Sequence, residues 1–143
     1  MLLFELVKKF CDALLVELES AEYLESELCS FPGGSCEITS QMLALYLESE
    51  GIENVVYTRN ETDVLEVGSV HYWVVVDNII VDLTAHQFTE FEGDCILPIE
   101  SPFHAQFKQL ATSSPSIASL DRPFSGQGNL LFYNKLMSRL ENA

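Results

Sequence analysis

A thiol, an imidazole and a carboxylate that could work together stand at Cys36, His71 and Asp82. Cys36 follows the turn-forming run "FPGGS" and opens the apolar-periodic stretch "CEITSQMLALYLES". That context places it in the first turn of a helix, where the exposed N–H groups and the helix dipole favour a thiolate. A thiol alone carries little information. As a nucleophile it needs a base within hydrogen-bond reach and a third group to orient that base. His71 and Asp82 are the residues of those types that the pattern brings together.

Their meeting depends on a hairpin. "VHYWVVV" and "IIVDLT" are two β-branched runs separated only by Asp77-Asn78, a two-residue turn signal. Facing residues then pair Val76 with Ile79, Trp73 with Asp82 and His71 with Thr84. Alternation puts His71, Trp73, Val75, Ile80, Asp82 and Thr84 on one face, with His71 and Asp82 as diagonal neighbours. A loop one residue longer would separate them. An acid on an apolar strand is costly unless paired, and His71 is the partner in reach. The pair is either a structural clasp between strands or the base and orienting acid of a catalytic site. A cysteine at a helix start facing the sheet favours the second.

Other elements frame this hairpin. Leu3, Val7, Phe10, Leu14 and Leu18 form one stripe and predict a helix over 2–19. A second, acidic helical turn is expected at 21–28. The helix from Cys36 has Ser35 as N-cap, Gly51 as its stop, and Ile38, Met42, Leu45 and Tyr46 as its inward face. "NVVYT" reads as a strand, 60–68 as a polar connection and "CILPI" as a short segment. A helix is expected at 102–111, then a flexible Ser/Pro/Gly-rich loop at 112–129, then a final helix in "LLFYNKLMSRL". That loop could lie over a site or simply join a packing helix.

The chain has 143 residues, enough for one domain, 1–143, to bury its own core. Acidic residues outnumber basic ones 22 to 7, for a net charge of −15. The imbalance sits in residues 1–100, at −17, whereas 101–143 carry +2. Such a field repels nucleic acid and anionic lipid, so neither is an expected partner; a basic partner surface is easier to accommodate. The same charge also serves as an ordinary solubilising surface. No run is long enough to span a membrane, and the N-terminal apolar stretch is broken by Lys8, Lys9 and Asp12 with no cleavage site. The expected location is the cytoplasm.

Four cysteines, at 11, 29, 36 and 95, form no C-x-x-C pair, and reduced thiols are expected. No spacing of Cys and His suggests a metal site, and no cofactor is implied. Cys11 reads as core packing, and Cys29 and Cys95 suit either core or surface. His86 and His104 read as ordinary polar residues.

The ordered set of Cys36, His71 and Asp82, within "GSCEITSQMLALYLESEG" and "HYWVVVDNIIVDLTAHQF", resembles the transglutaminase-like branch of the papain-like cysteine fold. The resemblance covers 30–90 and implies a catalytic core there. It also implies an α+β fold with the nucleophile helix packed on a small antiparallel sheet, flanked by N- and C-terminal helices. By the same resemblance Cys36 is the nucleophile, His71 the base and acid, and Asp82 the orienting residue. Gln87 would help hold the oxyanion with the Cys36 backbone N–H. Apart from the resemblance, Trp73 shares the face of the His71–Asp82 pair and either walls the site or is a core tryptophan, the commoner role. The chain is most similar in flavour to bacterial toxin and effector domains, several of which deamidate protein glutamines. The implied substrate is thus a protein or peptide amide, with signal-independent delivery out of the cell as a further implication. A cysteine protease, a transglutaminase and a non-catalytic acidic interaction module are the alternatives. The glutamine that papain-type proteases carry shortly before their cysteine has no counterpart here, which weighs against proteolysis.

Overall fold

The computed structural model describes residues 2–20, 31, 35–63, 70–88, 91–120 and 126–142. Among these, three α-helices and a five-stranded antiparallel sheet make an α+β architecture. The helix α1 (Leu2–Ser20) follows its predicted stripe: Leu6, Val7, Phe10, Ala13 and Leu14 are buried, while Leu3 and Leu18 pack at the margin.

The second helix, α2 (Cys36–Ser49), begins at the cysteine as expected. Ser35 stands at its N-cap position but makes no side-chain cap bond. Gly51, at φ 89°, ends it: Gly51 N–H reaches the Glu48 carbonyl at 3.0 Å and Ile52 N–H the Leu47 carbonyl at 3.1 Å. The expectation of one inward face is too narrow. Ile38 through Ala44, with Tyr46 and Leu47, are all buried, and Leu45 is half-buried. The cause is placement, since α2 is packed between the sheet on one side and α1 and α3 (Gly126–Glu141) on the other.

The strands β1 (Val55–Glu61), β2 (Val70–Val76), β3 (Ile79–Val81), β4 (Ile96–Pro98) and β5 (Lys108–Ser113) lie in the order β4-β3-β2-β1-β5. The β2–β3 pairing is Val74 with Val81, Val75 with Ile80 and Val76 with Ile79, the register expected from the sequence. The ladder stops there, so the expected His71–Thr84 pairing does not form. Asp82 continues outward, and its N–H reaches the Cys95 carbonyl at 2.8 Å. Asp77 adopts φ 54° at the turn, and its carboxylate accepts a 3.1 Å bond from Asn54 Nδ2.

Three expectations are corrected. Residues 102–111 are not one helix: a 3-10 turn at His104–Gln106 is followed by β5. The strand at "NVVYT" runs on to Glu61, absorbing the start of the expected polar connection. Within 112–129, the described residues close β5, form a 3-10 turn at Ile117–Leu120 with Leu120 fully buried, and open α3. The helical turn expected at 21–28, and Cys29, lie outside the described residues. No helix among the described residues is long and apolar enough to cross a membrane.

The sheet separates two cores. On the helical face Val55, Tyr57, Val74, Val76 and Val81 join the apolar sides of the three helices. On the opposite face Ala85, Phe88, Phe91 and Phe103, with Leu97 and Phe107 at their edge, make a smaller and largely aromatic cluster. His71 and Trp73 project into this second layer.

Candidate active site

The site is assembled around one carboxylate. Asp82 sits one residue past β3, where its N–H bond to the β4 side keeps the strand direction and so keeps its side chain on the aromatic face. Its Oδ1 accepts the Thr84 N–H at 3.1 Å, an Asx-type turn that fixes the carboxylate and starts the 3-10 turn Ala85–Gln87. Its Oδ2 accepts from two imidazoles, His71 Nε2 at 2.7 Å and His104 Nε2 at 2.8 Å. The aspartate and both histidines are buried, with His71 at 0% exposure.

His71 is held from the backbone as well. Asn60, its partner across β1–β2, donates Nδ2 to the His71 carbonyl at 3.1 Å and to Thr58 Oγ1 at 2.9 Å. A register shift between Arg59 and Asn60 in the β1–β5 pairing lies at this point, where a bulge re-aims a side chain. The His71 ring meets Phe88 edge-on at 4.9 Å and lies 5.6 Å from the Trp73 ring.

The Cys36 side chain stands near enough to the His71 ring to favour its protonated form. Because Nε2 is committed to Asp82, Nδ1 is the nitrogen left for the thiol. Gln87 Nε2 comes to 3.5 Å from the same Nδ1, so the glutamine and the cysteine approach one edge of the ring. Cys36 is half-buried and Gln87 likewise, which gives the otherwise sealed arrangement its access to solvent. Glu37, beside the cysteine in sequence, engages Tyr72, and its Oε2 lies 3.4 Å from Gln41 Nε2.

Charge follows from this geometry. Burial opposes a positive His71, but the charge and hydrogen bond of Asp82, helped by Cys36, overcome it and hold the ring up to about 9. Burial likewise opposes ionisation of Asp82. The His71 charge and the bonds from His104 and His71 prevail, and the carboxyl is held down at about 2. Burial, then the neighbouring Cys95 and Asp12, push Cys11 up to about 11, and burial raises Cys95. Cys11, Cys36 and Cys95 are free thiols.

Cys36, His71, Asp82 and Gln87 therefore converge. Trp73 does not line an open surface; it is 5% exposed and packs edge-on against His104 at 4.6 Å and Phe107 at 5.3 Å. His86 is exposed, with Nε2 3.0 Å from the Gly93 carbonyl, as an ordinary polar residue would be. His104 departs from that expectation, since it is buried on the central carboxylate. Its neighbour Ser101 places Oγ 2.8 Å from His104 Nδ1. The spacing of Ser101 and His104, three apart, was the available signal, but a local serine–histidine pair does not say which acid it faces. Among the described residues no group of three His, Cys, Asp or Glu side chains is arranged to hold a metal ion. No family model matches the chain, and no curated protein or solved structure is significantly similar to it.

Proposed function

We propose that the protein is a thiol-dependent amide hydrolase of papain-like, transglutaminase-like design, acting as a protein-glutamine deamidase. The observation that carries this reading is the buried His71–Asp82 pair, Nε2 to Oδ2 at 2.7 Å, with the Cys36 side chain beside the same ring. A cysteine reacts as its thiolate, and Asp82 supplies the charge that keeps His71 protonated near neutral pH beside it.

The thiolate attacks the carboxamide carbon, forming a C–S bond as the carbonyl π pair moves to oxygen. The oxyanion faces the Cys36 backbone N–H at the start of α2 and the Gln87 side-chain amide. The C–N bond then breaks, and His71 gives its proton to the departing ammonia. Water attacks the thioester with His71 accepting its proton, the C–S bond breaks, and glutamate is released. Sulfur and imidazole return to their starting state. An amine in place of water gives transglutamination, and a backbone amide gives proteolysis. The net acidity of residues 1–100 suits a basic protein substrate.

The test is alkylation mapped by peptide mass, combined with incubation on glutamine-containing peptides. Selective labelling of Cys36 at neutral pH is expected, with ammonia release and the NH2-to-OH mass increase on the peptide. Cleaved fragments would reassign the enzyme as a protease. Uniformly slow cysteines would instead indicate an acidic interaction module.

A further inference from the structure

Two imidazoles on one oxygen is more than a cysteine–histidine–aspartate site requires. We propose that His104 is a positioning residue for the Cys36 site: an Nε2–H donor, oriented by Ser101, that directs the Asp82 carboxylate and moderates its hold on the His71 proton. The inference rests on the thiol-enzyme reading and deepens it.

The geometry supports each part. Ser101 Oγ lies 2.8 Å from His104 Nδ1, and His104 Nε2 lies 2.8 Å from Asp82 Oδ2. Ser101 is itself fixed, its N–H on the Pro98 carbonyl and its carbonyl on Ala105 N–H, each at 2.9 Å. A hydroxyl that donates to Nδ1 leaves the ring proton on Nε2, pointing at the carboxylate. The titratable groups facing this centre are His71 from β2, Cys36 from α2, His104 from its 3-10 turn, and Cys95 from the β4 side. The Trp73, Phe91 and Phe103 rings stand edge-on around His104 and fix the plane of its ring, so that Nε2 meets the carboxylate.

An oxygen that already accepts one N–H is a weaker acceptor for a second. His104 thus keeps His71 acidic enough to surrender its proton to a leaving group. Oδ1 is held by Thr84, so His104 also fixes the lone pair that His71 meets.

The experiment is side-chain 15N NMR of the histidines, with a pH profile of peptide turnover, on the wild type, His104→Phe, His104→Gln and Ser101→Ala. In the wild type His104 Nε2 should carry a proton and show the shift of an N–H hydrogen-bonded to a carboxylate. His104→Phe should lower the His71 acidity constant about tenfold and move the alkaline limb of turnover upward with it. His104→Gln, which restores an N–H donor, should return it to within about threefold. Ser101→Ala should mix the His104 tautomers, and it carries the test if His104→Phe does not fold. A His104 Nε2 without a proton in the wild type, or a His71 titration unmoved in His104→Phe beside a lower melting temperature, would reduce the residue to a structural strap and overturn the proposal. Failure of the thiol-enzyme reading shows separately, as a wild-type Cys36 without selective alkylation, while the His71 titration still decides the role of His104.

Discussion

The two faces of the sheet solve opposite problems with the same strands. On the helical face, β2 contributes Val74 and Val76 to a layer made mainly of Leu, Val, Ile and Met side chains, with Phe10, Tyr46, Tyr57, Phe132 and Tyr133 among them. On the other face the same strand contributes His71 and Trp73, every polar contact is directional, and the apolar surroundings are rings rather than aliphatic chains. Aliphatic packing tolerates volume-conserving exchange, whereas a buried polar network is costly if half-satisfied. Stability should therefore be spread across the helical face, and chemistry should be concentrated in a few bonds on the aromatic face.

The sharpest way to break this contrast is Asp82→Ala. It removes the acceptor of two buried imidazole donors at once, and a loss of about 3–5 kcal/mol in denaturant unfolding is expected. Asp82→Asn keeps the shape and one acceptor oxygen, so most of the stability should survive. The charge on His71 loses its support in both variants, and alkylation of Cys36 at neutral pH should fall about a hundredfold. A reactive, fully stable Asp82→Ala protein would show that the carboxylate organises nothing.

Phe10→Ala tests the other face. Phe10 is fully buried, its ring 5.7 Å from that of Tyr46, and its truncation should cost about 3–5 kcal/mol. The alkylation rate of Cys36 should nevertheless stay within about twofold of wild type wherever the variant is folded, because no bond of the site is touched. A large change in reactivity would mean that the two layers are not separable.

These faces were unequally legible in the sequence. The aliphatic stripe of α1 and the hairpin register could be read because each rests on a local rule, helical period in one case and a two-residue turn in the other. That register is what delivers Asp82 to His71. A turn one residue longer would have pointed the carboxylate into the Leu and Val layer. His104 was not legible because its segment has no clear period. The residues of β5 are exposed from Lys108 to Thr112, so this edge strand has no buried alternation to announce it, and "HAQFKQL" reads as helix. Asn60 was hidden for a related reason. Its role depends on pairing with His71 across β1–β2, and no local turn signal in the sequence sets that register.

Proton linkage sharpens the comparison at a smaller scale, since the buried ion pair lies on the aromatic face. His71 is raised from 6.5 to about 9, so its contribution is complete below 6.5 and is lost as pH rises through about 9. Asp82 is lowered from 3.8 to about 2, so its contribution is complete above 3.8 and is lost as pH falls toward 2. Between these limits stability should be flat from this source. The unfolding free energy from urea titrations should fall between about pH 6 and about pH 10 by about 3 kcal/mol more in the wild type than in Asp82→Asn.

The smallest expected effect comes from the turn that sets the register. Asp77 holds φ 54°, a left-handed conformation that costs an L-residue about 1 kcal/mol and glycine almost nothing. Against that gain, Asp77→Gly gives up the exposed bond from Asn54, worth about 0.5–1 kcal/mol. The two terms nearly cancel, and the unfolding free energy should move by less than about 1 kcal/mol. Loop length is unchanged, so Val76 should still face Ile79, and the His71 tautomer and Cys36 alkylation should match the wild type. If instead the reactivity fell with the turn substitution, the register would depend on the Asp77 side chain rather than on the number of residues in the turn, and the carboxylate's place on the aromatic face would rest on that exposed bond.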